Sequence, residues 1–114
     1  MERQNRKAQK DAYKQRKIVG GVCAIKNDRT GRVLLLAAPD VEGMAKRFEF
    51  AYKTGTSFHP KLQRELEIYG KDAFSFSTVE TLEKKETQTD WEFHDDLETL
   101  LDLWRTKYAE NVLY

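Results

Sequence analysis

The sequence predicts an α+β domain in which a small, three-stranded, mainly antiparallel sheet is flanked by helices, with a polar helix ahead of it. Three observations predict it. Two apolar runs, Val22 to Lys26 and Arg32 to Ala38, are separated by the turn-forming Asn27-Asp28-Arg29-Thr30-Gly31, which is the pattern of a β-hairpin. Phe74-Ser75-Phe76-Ser77-Thr78-Val79 alternates as a half-buried third strand does. Phe93, Leu97, Leu100, Leu101, Trp104 and Tyr108 form one apolar stripe at helical spacing.

Taken in order, residues 2–17 are polar, rich in Lys, Arg, Gln and Ala, and read as a helix with little apolar face. Gly20-Gly21 is expected to break it, which divides the chain into a basic extension over residues 1–19 and a domain over residues 20–114. Pro39-Asp40 stops the second strand, and Asp40 can cap a helix whose apolar positions are Val41, Met44, Ala45, Phe48 and Tyr52. Thr54-Gly55 ends it. A further helix begins near Pro60, buries Leu62, Leu66 and Tyr69, and meets Gly70 where a left-handed cap is expected. Thr89 and Glu92 have the spacing of a capping box, so the last helix starts there.

With 114 residues the chain has room for one domain and one core. Charged residues make up 34% of it, against about 25% in an average globular protein. No stretch approaches the ~18 consecutive apolar residues of a transmembrane helix. The N-terminus is charged and has no apolar stretch, so no secretory signal is expected. Cys23 is the lone cysteine, which excludes an intrachain disulfide and a multi-cysteine metal site. A reducing, cytoplasmic setting is the expectation.

The net charge of +1 conceals a gradient: Met1 to Lys17 carries +5, Glu80 to the C-terminus −6. The basic arm, with Lys10 and Lys14, could contact phosphates. The competing reading is a solvated helix resting on the acidic C-terminal part. His59 and His94 lack metal-ligand spacing; the first reads as a cap before Pro60, the second as solvated beside Asp95 and Asp96. Cys23, among Val22, Ala24 and Ile25, reads as a small buried hydrophobe. Lys84-Lys85 reads as a solvated turn. Arg47 could hold a phosphate or pair with Glu49.

The run Gly21-Val22-Cys23, then Asn27, then Thr30-Gly31-Arg32-Val33-Leu34-Leu35-Leu36, then Lys46-Arg47-Phe48 resembles the opening of the GIY-YIG nucleases. Leu62-Gln63, Tyr69-Gly70-Lys71-Asp72-Ala73-Phe74-Ser75-Phe76 and Leu103-Trp104 extend the resemblance over about residues 20–104. It implies the same three-stranded sheet flanked by helices. It also implies a chemistry: metal-dependent cleavage of DNA, in which a glutamate binds the divalent ion, tyrosines of the two signature tripeptides position or deprotonate water, and an arginine stabilises the phosphorane-like charge.

By the same resemblance, the first tyrosine falls at Cys23 and the second tripeptide on Leu34-Leu35-Leu36, putting leucine where the second tyrosine would be. The arginine falls on Arg47 and is retained, while the metal-binding glutamate falls on Leu101. Leucine cannot bind a hard cation. The departures imply a degenerate relative without nuclease activity, needing neither Mg²⁺ nor Mn²⁺, that serves as a binding or protein-interaction module.

Residues of like parity share a strand face, so Leu34, Leu36 and Ala38 point together, and with Cys23 they turn the expected site floor apolar. Such a patch invites a protein partner or a second copy at Leu34 and Leu36, burial under the N-terminal extension, or local repacking. Two alternatives stand beside the binding module. One is an active endonuclease using Mg²⁺ or Mn²⁺ with substitutes such as Tyr52 and Asp102 or Glu80. The other is a non-specific nucleic-acid binder working through Lys10, Lys14, Lys46 and Arg47.

Overall fold

Strand β1 (Val19–Asn27) lies in the middle of a three-stranded antiparallel sheet, with β2 (Val33–Ala38) on one side and β3 (Phe74–Glu83) on the other. The structure is a computed structural model that describes residues 17–114. The polar helix expected over residues 2–17, with Lys10 and Lys14, therefore lies outside the described residues, apart from Lys17, whose ammonium is 3.6 Å from Glu83. Helices α1 (Val41–Thr54), α2 (Gln63–Tyr69) and α3 (Asp90–Arg105) complete the order ββααβα. The α+β class and the antiparallel sheet are as the sequence predicts. No helix among the described residues is long and apolar enough to cross a membrane.

The hairpin forms through Asn27. Its amide donates to the Arg32 carbonyl at 2.9 Å, and its side-chain oxygen accepts from Arg29 N at 2.9 Å, so the turn is held from inside. Gly31, at φ 77°, supplies the left-handed residue the reversal requires.

Gly20 and Gly21 do more than punctuate the sequence: both lie within β1, where neighbouring segments pass too close for a side chain. A Cβ on Gly21 would sit 2.1 Å from the Glu80 carbonyl oxygen, and one on Gly20 would meet Ala38 O and the Phe93 ring.

The two faces of the sheet have separate cores. On one, Val22, Ala24, Val33 and Leu35 pack against Leu101 of α3, with Leu100, Trp104 and Tyr108 around them. On the other, Ile25 and Leu34 pack with Leu62, Ala73 and Phe74, with Phe48 of α1 and Leu66 of α2 at the margin. The α3 stripe is buried at Phe93, Leu97 and Leu101, and its start carries both halves of the predicted capping box between Thr89 and Glu92.

Asp40 caps α1 through Gly43 N, and Gly55 closes it in the left-handed conformation. The element expected from Pro60 begins instead as a 3₁₀ turn, Pro60–Leu62, before α2. His59 caps that turn by accepting from Lys61 N at 3.2 Å. Tyr69 is exposed rather than buried, and Gly70 has positive φ but an extended ψ of 166°, outside the left-handed helical region. Lys84 is not simply solvated: its ammonium lies 2.7 Å from Asp90 at the start of α3, and that pairing holds the Asp90 carboxyl below its usual range.

Two features were not legible beforehand. Strand β3 runs on to Glu83 and carries an extra residue: Thr78 faces Cys23 and Glu80 faces Val22, leaving Val79 as a bulge. Val79 packs into the α3 cluster, while Glu80 accepts from the Trp104 indole at 3.1 Å. The last residues also return to the sheet. Val33 N donates to Val112 O at 2.8 Å and Tyr114 N to Val33 O at 3.1 Å, a short parallel pairing on the outer edge of β2.

Substituting Leu101→Ala should lower unfolding free energy by about 2 to 5 kcal/mol in urea titration. Leu103→Ala, whose side chain is 57% exposed, should change it by less than about 0.5 kcal/mol.

Candidate functional site

The register places the first part of the candidate site. Cys23 faces Leu36 and Ile25 faces Leu34 across β1 and β2, so these side chains share the α1 and α2 side of the sheet. Leu34 is 4% exposed and covered from within the chain, by Leu62 and Phe74 with Phe58 and Tyr114 beside them. Leu36 is half-buried at the edge of the same cluster. Phe48 bridges the layer, stacked on Phe76 at 5.4 Å and edge-on to Phe58 at 5.8 Å. Of the ways to cover the apolar floor, repacking by the chain's own residues is what seals Leu34.

Cys23 is wholly buried, and burial pushes its thiol above the ordinary value, the Thr78 side chain opposing the shift. A thiol so placed is a poor nucleophile.

The remaining positions singled out by the resemblance do not join this floor. Leu101 lies across the sheet, in the cluster with Val22 and Leu35, so the four positions Cys23, Leu34, Arg47 and Leu101 do not form one cleft. The cause is the two-residue period of the strands, which sorts alternate residues onto opposite layers. Arg47 projects from the exposed side of α1. Its guanidinium stands 5.6 Å from the centre of the Phe58 ring, and it has no ion pair among the described residues; Glu49 pairs with Lys53 instead. Lys46 lies 3.4 Å from Glu42. Lys46, Arg47, Phe50, Ser57 and Phe58 line a shallow groove of about 350 Å³.

The substitutes fare similarly. Tyr52 donates its hydroxyl to Asp72 at 2.6 Å, and that bond, with the carboxylate charge, raises the phenol above its ordinary value. A phenol held this way is a weaker acid and a weak candidate to activate water. Asp102 pairs with Arg105 at 3.1 Å, and Glu80 is engaged by Trp104; Glu80 stands on the α3 side of the sheet. His94 is solvated as expected, with the Glu98 carboxylate one turn along 3.8 Å from its Nε2.

Two solved structures share the arrangement of sheet and helices. A mutant form of the catalytic domain of the intron endonuclease I-TevI aligns at TM-score 0.56 and 23% identity, over 79% of this chain and 84% of that one. The catalytic domain of the homing endonuclease I-TevI aligns at TM-score 0.53 and 23% identity, over 83% of this chain and 95% of that one. The fold is GIY-YIG-like. No protein-family model matches the chain, and no curated protein does.

A divalent cation of the kind a GIY-YIG-like nuclease implies does not fit the residues present. Among the described residues no three His, Cys, Asp or Glu side chains gather where a metal ion could be held. The position that would supply the carboxylate is a buried leucine facing the other layer. A hard cation needs several oxygen donors, and none converges here.

The residue that sequence reasoning missed is Tyr114. Its ring packs against the Leu34 cluster and lies 4.3 Å beneath the Arg32 guanidinium, which also donates to Leu113 O at 3.3 Å. Only the aromatic residue at the end of an apolar triplet, Val112-Leu113-Tyr114, could have signalled it. Burial, with the Glu65 carboxylate next, pushes the Tyr114 hydroxyl from its ordinary 10 up to about 12.

Because the folded chain holds that proton more tightly than the unfolded one, the associated stability is complete below pH 10 and declines as pH rises towards 12. The urea midpoint should fall across that window, and Tyr114→Phe should flatten the fall. A second titration checks the α1 flank: Asp72→Asn should bring the Tyr52 phenol back towards its ordinary value, read by NMR of carbon-labelled tyrosine rings.

Proposed function

We propose that this chain is a binding module that retains the scaffold of a metal-dependent nuclease without its hydrolytic chemistry. The observation that carries the reading is Leu34: where the resemblance calls for a tyrosine facing water and phosphate, a leucine lies 4% exposed beneath Leu62 and Phe74. Water cannot be activated at a position it cannot reach. The distribution of the other groups supports the same reading, since Arg47 and Leu101 belong to different sides of the molecule.

A second reading, contact with single-stranded nucleic acid, is favoured by the groove on α1. Phe50 is 67% exposed beside Lys46 and Arg47, and an open aromatic ring flanked by cations is a surface on which a base can stack while a phosphate is held.

The full chain should leave supercoiled plasmid intact in Mg²⁺ and in Mn²⁺. Nicking that disappears on Arg47→Ala would overturn the proposal in favour of a rearranged endonuclease. Oligonucleotide binding that weakens on raising salt and on Phe50→Ala would establish the second reading; no binding at low salt removes it.

A further inference from the structure

The outer edge of β2 has an alternating set of backbone groups, and only its first residue is engaged. Asn27 N donates to Arg32 O, which sets the phase of the hairpin: Leu34 and Leu36 bond inward to β1, while Val33, Leu35 and Ala37 turn outward. The outward groups of Val33 are taken by Val112 and Tyr114. Among the described residues no hydrogen bond reaches the outward groups of Leu35 and Ala37. Leu35 is 4% exposed with its side chain packed in the α3 core, and Ala37 is half-buried, so a strand joining here meets this edge through main-chain groups.

A groove of about 190 Å³ runs beside this edge. Its walls come from both layers, His59 and Lys61 from the segment leading into α2, Arg105 from the end of α3, with Tyr114 at one end. The three wall residues are cationic or proton-donating. Lys61 has no carboxylate at ion-pair distance among the described residues. Arg105 uses Nη1 for Asp102. His59 accepts at Nδ1 from Lys61 N, so the proton of its neutral ring is on Nε2, free to donate.

We propose that this edge is a docking groove for an extended acidic peptide, which joins the sheet as an added strand paired with Leu35 and Ala37. The inference rests on the binding-module reading and names its partner. Strand addition supplies affinity through main-chain bonds and selectivity through alternating side chains. Outward groups two residues apart repeat at about 6.5 to 7 Å along a strand, the repeat of another strand. A peptide backbone offers both the acceptor for each N–H and the donor for each carbonyl, whereas a phosphodiester chain offers acceptors alone. Neighbouring side chains of an added strand point to opposite faces, so adjacent carboxylates reach Lys61 on one wall and Arg105 on the other. The bridge from Val112–Tyr114 to Val33 shows that this edge takes main-chain partners. The chain's own arm from Met1 to Lys17, at +5, has the wrong sign for this groove.

The test uses the full chain and a labelled, terminally blocked Thr-Val-Glu-Glu-Val-Thr peptide. Fluorescence anisotropy should show the glutamate peptide binding about tenfold more tightly than its dilysine counterpart. N-methylation of alternate peptide amides should abolish binding, and the Leu35 and Ala37 amide resonances should move on titration. Lys61→Glu, at an exposed position, should lower affinity about tenfold with no change in thermal midpoint. Equal binding of the two peptides overturns the proposal, as do unmoved Leu35 and Ala37 amides, no binding at about 1 mM, or equal displacement by a single-stranded oligonucleotide. Failure here with plasmid left intact would remove the acidic-peptide partner alone; plasmid cleavage would remove the binding-module reading beneath it.

Discussion

The described residues are arranged around β1, among them the one strand hydrogen-bonded along both edges and covered on both faces. From Gly20 to Ile25 the strand has no solvent-facing side, so those residues must be apolar or small; Lys26, next to the turn, is exposed. Val22, Cys23, Ala24 and Ile25 meet that demand in sequence, and Gly20-Gly21 meets it where β3 and α3 come within contact of the backbone. Asn27 is the buried polar residue of the strand, and its side-chain oxygen is engaged by the turn it closes. Every other element takes its place from this strand: β2 and β3 by register, α1 and α2 over one face, α3 over the other.

That arrangement also sets the character of the candidate face. A nucleolytic centre on this scaffold needs a polar floor open to solvent and several oxygen donors held close together in spite of their mutual repulsion. The chain has leucine in the floor, and each such burial contributes about 1.5 to 3 kcal/mol. Phe48, Phe58, Leu62 and Tyr114 close over Leu34 from three different segments, and a water-activating group would have to displace that packing. The hydrophobic layer and the catalytic one are competing uses of the same face.

Much of the fold was legible because it is encoded locally. The hairpin is written in five turn residues, α1 in Asp40 and its apolar spacing, and α3 in a capping box followed by a stripe. What was not legible depends on contacts between distant segments. Gly20-Gly21 looks like a breaker unless it is known that Glu80 and Phe93 press on it. Tyr114 looks like a loose end unless the edge of β2 is known to be open. For the site, the alternation of Leu34 and Leu36 could be read from strand parity. The separation of Leu101 could not, because which face α3 covers is a property of the assembled layers. Arg47 is a similar case: its local neighbours suggested an ion pair with Glu49, but the loop brings Phe58 to it instead.

The bulge in β3 solves a problem of display. A regular strand sends neighbouring side chains to opposite sides, so it cannot offer an oily surface and a polar acceptor next to each other. The inserted Val79 lets two consecutive residues address α3 together, a valine in the cluster that Trp104 also flanks and a glutamate at the indole nitrogen. With Lys107 on the ring face at 4.1 Å, the indole is immersed along one side and moored along the others, fixing the rotation of α3 about its own axis.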